Sequence, residues 1–394
     1  MSQNNYEYIK KALPSKFGTY AMAFAAIGLV LSILAVATSP VRAAFDSLIV
    51  FVFLMGLGMC SLFLIGLEYL TGAVWSVAFR RIGEYLVPLV FIAPIFAIPV
   101  ILNFDHVFAW ANKEFLLENK AVAAKTAFLN PQFFYIRIIA IIALISLFAW
   151  LIIRNSSKQD KSADQALTKS NIRLSAMLMP VFGLSITLIG IDWIMSLEPK
   201  WFSTIFGVYY FAGSLLSTFS IIALFAIKLK GYDCLPSFIG KDHFYNLGAF
   251  MFAFINFWAY IAFSQFMLIW YANLPEETFW FLSRTQGSWL YISLGIIVIK
   301  FIIPYAGLLS QPSKSSINRL KFIGWWIVFA QLFDLYWLVI PTFSRTGATF
   351  GWTELAFPLL GLGIVMLIFR YGYNKRNLVP VGDPKLKRVM EFHL

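Results

Sequence analysis

Residues 190–213 read GIDWIMSLEPKWFSTIFGVYYFAG, two apolar stretches joined by a polar hinge only a few residues long. The segment places Asp192, Glu198 and Lys200 within nine residues of one another. Hydrocarbon offers no water to unpaired N–H and C=O groups, so apolar runs of about 20 residues cross it as helices that close their own hydrogen bonds. Runs of this kind recur outward from the hinge, from Phe17 to Arg370. The chain is 60% hydrophobic and 13% charged, whereas soluble domains carry about 25% charge. Alternating segments of about ten residues, the mark of a membrane β-barrel, are missing from the sequence. The fold class is therefore all-α, a polytopic membrane protein.

The hydropathy pattern predicts ten spans, at roughly 17–38, 44–76, 83–102, 131–153, 171–197, 202–229, 244–272, 286–309, 321–341 and 351–371. The chain thus divides into an N-terminal segment 1–16, a transmembrane domain 17–371 and a tail 372–394. The first run follows Lys10, Lys11 and Lys16 and ends in AVATSPVRA, which superficially resembles a signal-peptide cleavage site. Signal h-regions are about 7–15 residues long, and this run is longer, so it is read as a retained helix. Most of the 31 Lys and Arg residues fall in the two termini and in every second loop between them. The positive-inside rule then puts both termini in the cytoplasm.

The formal net charge of +12 is accounted for by these loops and tails, so no nucleic-acid partner is implied. Cys60 and Cys234 form no CxxC or cluster-ligand pattern. His106, His243 and His393 all fall outside the predicted spans. No metal site is expected, and no haem held between transmembrane histidines. The loop 103–130 contains DHVFAWANKEFLLENKAVAAKTAFLN, whose apolar residues recur every three to four positions. Either a short amphipathic helix on the outer surface or a lid packed on the helix ends would satisfy that pattern. The stretch 154–170 reads as a solvated connector. Spans five and nine both end in D-x6-P, Asp192 to Pro199 and Asp334 to Pro341. This shared spacing suggests two four-helix units in the same orientation, helices 2–5 (about 44–197) and 6–9 (about 202–341).

An ionisable group inside a span costs about 2.5–3.5 kcal/mol on insertion scales and commonly marks an ion or proton route. At about 1.5 Å per residue, Glu68 lies toward the inner side of span two and Glu84 opens span three. Lys300 and Asp334 fall near the midplane on consecutive spans, and Asp192, Glu198 and Glu354 lie toward the outer face. Lys300 and Asp334 read either as an ion pair that makes both insertable or as one step of a proton path through Glu68, Glu84, Lys300, Asp334, Asp192 and Glu198. Glu84 and Glu354 also read as solvated helix-end carboxylates, and Arg80 and Arg81 as inner-side anchors. Glu198 and Lys200 flank Pro199 as hinge chemistry. Gln265, mid-span, is a candidate polar relay or a helix-packing hydrogen bond.

Three stretches carry a family resemblance: DWIMSLEPKWFSTIFGVYYFAG from Asp192, FSQFMLIWYANLPEE from Phe263 and KTAFLNPQFFYIR from Lys125. The chain resembles, over nearly its whole length, the NrfD/polysulfide-reductase-type membrane subunits. It is most similar to the ActF-type subunits, the shorter of two such subunits in bacterial alternative complex III. The resemblance implies two four-helix bundles, helices 2–5 and 6–9, flanked by helices 1 and 10, in the bacterial cytoplasmic membrane. It implies a quinol-oxidising respiratory assembly with an iron–sulfur subunit, haem c subunits, a larger NrfD-like quinol-binding subunit and small membrane subunits. The resemblance further implies that electrons pass to a periplasmic carrier or directly to a terminal cytochrome oxidase, with membrane lipids as surrounding partners. The larger paralogue is expected to place a histidine and an aspartate at its outer quinol pocket; here Asp192 matches the aspartate and the histidine is lacking. The expectation is a cofactor-free subunit, with quinone or quinol as the one ligand left open, that supports quinol oxidation and conducts protons. A secondary transporter built from parallel repeats, or a purely structural subunit of the same complex, are the alternatives.

Overall fold

A computed structural model describes residues 10–393. Ten helices within them are long and apolar enough to cross a membrane. These are α1 Ser15–Thr38, α2 Pro40–Thr71, α3 Arg80–Leu102, α4 Pro131–Ser162, α5 Gln165–Leu197, α6 Phe206–Gly231, α7 Lys241–Ala272, α8 Trp289–Leu308, α9 Ile317–Phe343 and α10 Thr353–Lys375. No strand occurs among the described residues. Residues 1–9 of the expected N-terminal segment lie outside the described residues.

Local chemistry sets the helix ends. Pro40 and Pro131 occupy the first turns of α2 and α4, where a missing N–H costs nothing. Asn130 caps α4, its Oδ1 accepting from the Phe133 N–H at 2.8 Å. At the other ends, Gly72, Ala163 and Asn273 adopt positive φ and turn the chain out of α2, α4 and α7. Pro88, Pro94 and Pro99 break α3 into short α and 3-10 pieces, because each lacks the N–H its helix would need.

Two expected loops differ from what folds. The stretch 154–170 is almost entirely helical, with α4 and α5 separated only by Ala163 and Asp164, and Asp164 caps α5 through the Ala166 N–H at 2.8 Å. Hydropathy marks where the apolar surface ends, and without Gly or Pro in 155–170 the helices continue past that point. The segment 103–130 is no single amphipathic helix. It breaks at Asn112 and Asn119 into short turns, and Phe104, Phe108 and Trp110 fold inward against Phe134, whose ring lies 4.8 Å from Trp193. The segment is a packed lid on the helix ends.

The core lies along α2 and α6, which are buried over most of their length. α2 packs on α3, α5, α6, α9, α1 and α10, and α6 packs on α5, α7 and α9. Small residues allow this closeness. α1 lies along α10 with Gly28 against the backbone of Leu360 and Gly363 against the backbone of Ala25, so a Cβ at either glycine would collide with main chain. Tyr210 of α6 donates its hydroxyl to the Val52 carbonyl of α2 at 2.6 Å. Phenylalanine, leucine and isoleucine cover the outward faces, including Ile33, Ile139, Leu184 and Phe263.

The tail after α10 folds back as a cap. Leu378, Val379, Leu386 and Val389 are buried, Tyr85 donates to the Asn377 carbonyl at 2.6 Å, and Asp383 pairs with the buried Arg80. Burial pushes the Asp383 carboxyl up, but the Arg80 charge, its hydrogen bond and the Lys385 N–H outweigh burial and hold it below its ordinary value. A carboxylate depressed in this way stabilises the fold above the unfolded pKa of about 3.9 and loses that contribution as pH falls through its folded value. The wild-type protein in detergent is expected to lose thermal stability on acidification below about pH 4. Asp383→Asn is expected to melt lower already at pH 7, by a cost of up to about 3–5 kcal/mol, with a flatter acid limb. Identical melting curves for the two proteins across this range would show that the tail contact carries no stability.

Candidate functional site

Three groups of buried charge occupy successive levels of the helices. The first lies where α2 ends and α3 begins. Arg80 pairs with Glu68 at 3.3 Å and with Asp383. Arg81 pairs with Glu84 and with Asp160, each at 2.6 Å, and Ser156 donates to Glu84 at 2.8 Å. Arg376 reaches Glu84 at 3.4 Å. Three guanidiniums thus face four carboxylates, and the half-buried Lys385 adds a further positive charge beside Glu68 and Asp383. Arg80 and Arg81, expected as inner-side anchors, are buried, and so is Glu84, which also reads as a solvated helix-end carboxylate in the sequence. The helical extension of α4 brings Asp160 over them, and the folded tail brings Asp383 and Arg376.

At the middle level, Lys300 of α8 donates to Asp334 of α9 and to Gln331 Oε1 at 2.7 Å. Tyr209 of α6 donates to Asp334 Oδ1 at 2.5 Å. The Lys300 ammonium also lies 4.3 Å from the centre of the Trp258 ring of α7, a cation–π contact that replaces part of its lost hydration. Lys300 sits in a π-helical turn, Ile297–Ile302. Such widened turns leave backbone groups in need of other partners, and Trp326 Nε1 donates to the Ile299 carbonyl at 2.7 Å. All four helices of the set α6–α9 contribute to this cluster.

Asp192 of α5 and Arg137 of α4 form the third level. Arg137 Nε donates to Oδ2 at 2.7 Å and Nη2 to Oδ1 at 2.9 Å, a two-point pair. Its remaining nitrogen donates to the Phe128 carbonyl at 2.9 Å, and its plane lies 3.9 Å from the Phe128 ring. Planar guanidinium suits both contacts. The two D-x6-P aspartates therefore share more than spacing. Each pairs with a cation on the preceding span, α4 for Asp192 and α8 for Asp334, which are the third helices of the sets α2–α5 and α6–α9.

Other polar groups fill the same end of the helices. Glu198 accepts from the exposed Arg345 at 3.0 and 3.2 Å, and Lys125 Nζ donates to the Pro199 carbonyl at 2.9 Å, so this hinge is held from two sides. Gln265 of α7 accepts from Ser203 Oγ at 3.1 Å and joins α7 to the hinge. Glu354 pairs with Arg42 and accepts from the Gly351 N–H at 2.7 Å. Arg284, between α7 and α8, is buried without a paired carboxylate. It stacks on Trp280 at 3.5 Å and donates to the carbonyls of Trp337 and Leu338 at 3.2 and 3.0 Å. Pro341 explains the first of these acceptors, since it has no N–H to give the carbonyl four residues earlier. Burial lowers the Arg284 guanidinium to about 9, which leaves it charged at neutral pH.

Several of these residues escape sequence reading. Arg137 stands six residues inside the apolar run from Pro131 and is not among the charges singled out there. Asp46, equally visible within an apolar run, is buried in α2 with Glu354, Thr353 and Arg42 as its polar neighbours. Tyr209 and Gln331 give no sequence signal, because only the crossing of α6, α8 and α9 brings them to one carboxylate. His243 falls inside a span after all, in the first turn of α7, buried against Phe79 and Phe392. It lies at the opposite end of the helices from Asp192, whose partner is an arginine. No cluster of three or more His, Cys, Asp and Glu side chains suited to a metal occurs among the described residues.

Removing one member of a buried pair strands the other, at about 3–5 kcal/mol, whereas replacing both by apolar residues is often neutral. Arg137→Leu and Asp192→Leu alone are each expected to lower the melting temperature in detergent, and the double variant to recover most of that loss. If the two losses simply add in the double variant, the pair is not coupled. No family model and no curated protein matches this chain, and the chemistry of the site rests on its own residues.

Proposed function

We propose that this chain is a cofactor-free integral subunit of a quinol-oxidising respiratory complex of the bacterial alternative complex III type, with both termini in the cytoplasm. In this reading, partner subunits carry the iron–sulfur clusters and haem c, and the larger NrfD-like subunit oxidises quinol. The chain itself conducts protons between its levels of buried charge.

The observation that carries the proposal is the arrangement around Asp334. Its carboxylate accepts from both Lys300 and Tyr209, and Lys300 already donates to a second acceptor, Gln331. A proton delivered to Asp334 would weaken its hold on the Lys300 ammonium, which keeps Gln331 and the Trp258 face as partners. The step leaves the ammonium without its counter-charge, held by these neutral partners until it passes on its own proton or Asp334 releases the one it received. An ion pair that served only for insertion would need one acceptor for the ammonium. The Arg80–Glu68 and Arg81–Glu84 network would serve as the entry on one side and the Arg137–Asp192 pair as the exit on the other. The matched cation–aspartate pairs on α4–α5 and α8–α9 support the two-unit architecture that the family resemblance implies.

A transporter of parallel repeats finds less support. The proline breaks of α3 have no counterpart in α7, its equivalent in the second set, which runs unbroken from Lys241 to Ala272. Asp334→Asn, isolated within the intact complex and reconstituted in liposomes, is expected to keep quinol oxidation but release fewer protons per electron. Unchanged stoichiometry with normal assembly would make the chain a structural subunit. Isolation of the wild-type protein as a single chain without haem or iron–sulfur partners, with solute uptake in liposomes, would favour transport.

A further inference from the structure

We infer that the groove between α1, α6, α9 and α10 binds one anionic glycerophospholipid, its phosphate held by Lys228 and Lys321 and its acyl chains lying along the helices. The groove encloses about 850 Å³, within the about 300–1,000 Å³ typical of ligand sites. Its walls are almost wholly apolar, and no Asp or Glu lines it. The charged and amide side chains that line it, Lys228, Lys230, Lys321 and Asn318, all stand where α6 ends and α9 begins. This is the end of the helices expected to face the cytoplasm, where anionic headgroups attract basic clusters.

Length points to a lipid. From Ile317 at the basic mouth to Leu332 at the deep end, both lining the groove, α9 rises about 22 Å. One leaflet, headgroup included, is about 20–22 Å thick, half of the bilayer's 40–45 Å. A partner helix seated here would cross both leaflets, and it would bring no phosphate to the lysines of a groove that no Asp or Glu lines. Lys228 and Lys321 are exposed, as are Tyr20 and Trp325 on the groove walls, so the site is open to lipid exchanging from the bilayer. The inference rests on the membrane-spanning helices and goes beyond the respiratory reading, so each can fail without the other.

Native mass spectrometry of the full chain, released from micelles holding phosphatidylglycerol and phosphatidylcholine of the same acyl composition, tests it. The wild-type protein is expected to retain phosphatidylglycerol over phosphatidylcholine by about tenfold, as engagement of one or two lysines would give. Excess inorganic phosphate should leave the lipid bound, since the acyl chains hold it. In K228Q/K321Q the preference should fall to within about twofold. A control of equal charge loss at the same end, K158Q/K169Q, should keep it. Val328→Trp, which fills the groove and leaves the lysines in place, should reduce retention of both lipids. Equal retention of the two lipids by the wild type overturns the inference, a comparison that needs no variant to fold. Retention of an isoprenoid quinone in place of phospholipid, or an unchanged preference in the folded lysine variant, also overturns it.

Discussion

Charge cannot be left alone in hydrocarbon, and this constraint organises the packing. Each buried ionisable group costs about 2.5–3.5 kcal/mol to insert, and the fold offsets that cost by bringing a partner from another element. Arg80 ties the start of α3 to the end of α2 and to the tail, Arg81 ties it to α4, Arg137 ties α4 to α5, and Lys300 ties α8 to α9. Apolar packing between helices gains little in lipid, where the alternative contact is equally apolar. The polar contacts are directional, and they fix which helices are neighbours and at what height.

The two aspartates that share a spacing to proline are held in different ways. Asp192 is gripped at two points by a planar guanidinium that is itself stacked on Phe128, a geometry suited to holding the helix ends and lid in register. Asp334 is held by a flexible lysine and a tyrosine hydroxyl, beside a π-helical turn, with a glutamine as an alternative acceptor for the same ammonium. A flexible ammonium with two acceptors can change partners; a fixed two-point pair cannot do so without losing both bonds. The proposed proton step uses this contrast, since it places the exchangeable partner in the middle of α6–α9.

The outer surface carries a different kind of information. Most of it is apolar side chain, as a bilayer requires, and its helices bear single exposed Leu, Ile and Phe residues along their lengths. The groove beside α9 departs from that uniformity, since it is concave, apolar and basic at one mouth only. Along α9 it extends about 22 Å, close to the thickness of one leaflet, which is the basis of the lipid proposal.

The sequence by itself determined the class, the ten spans and the height of each charge, because hydropathy and helical rise act along the chain and need no neighbours. Asp192, Asp334, Lys300, Glu68 and Glu84 stood out for the same reason, as charges in apolar runs. What each charge meets was decided only by tertiary structure. Arg137 reaches Asp192 across 55 residues and Tyr209 reaches Asp334 across 125, through helix crossings that no local pattern encodes. The 154–170 stretch reads as a solvated connector, and the tail gives no sign of folding back, for a related reason. Polar residues are written alike whether they face water or cover a buried ion network, and here the arginines beneath them bring Asp160 and Asp383 inside.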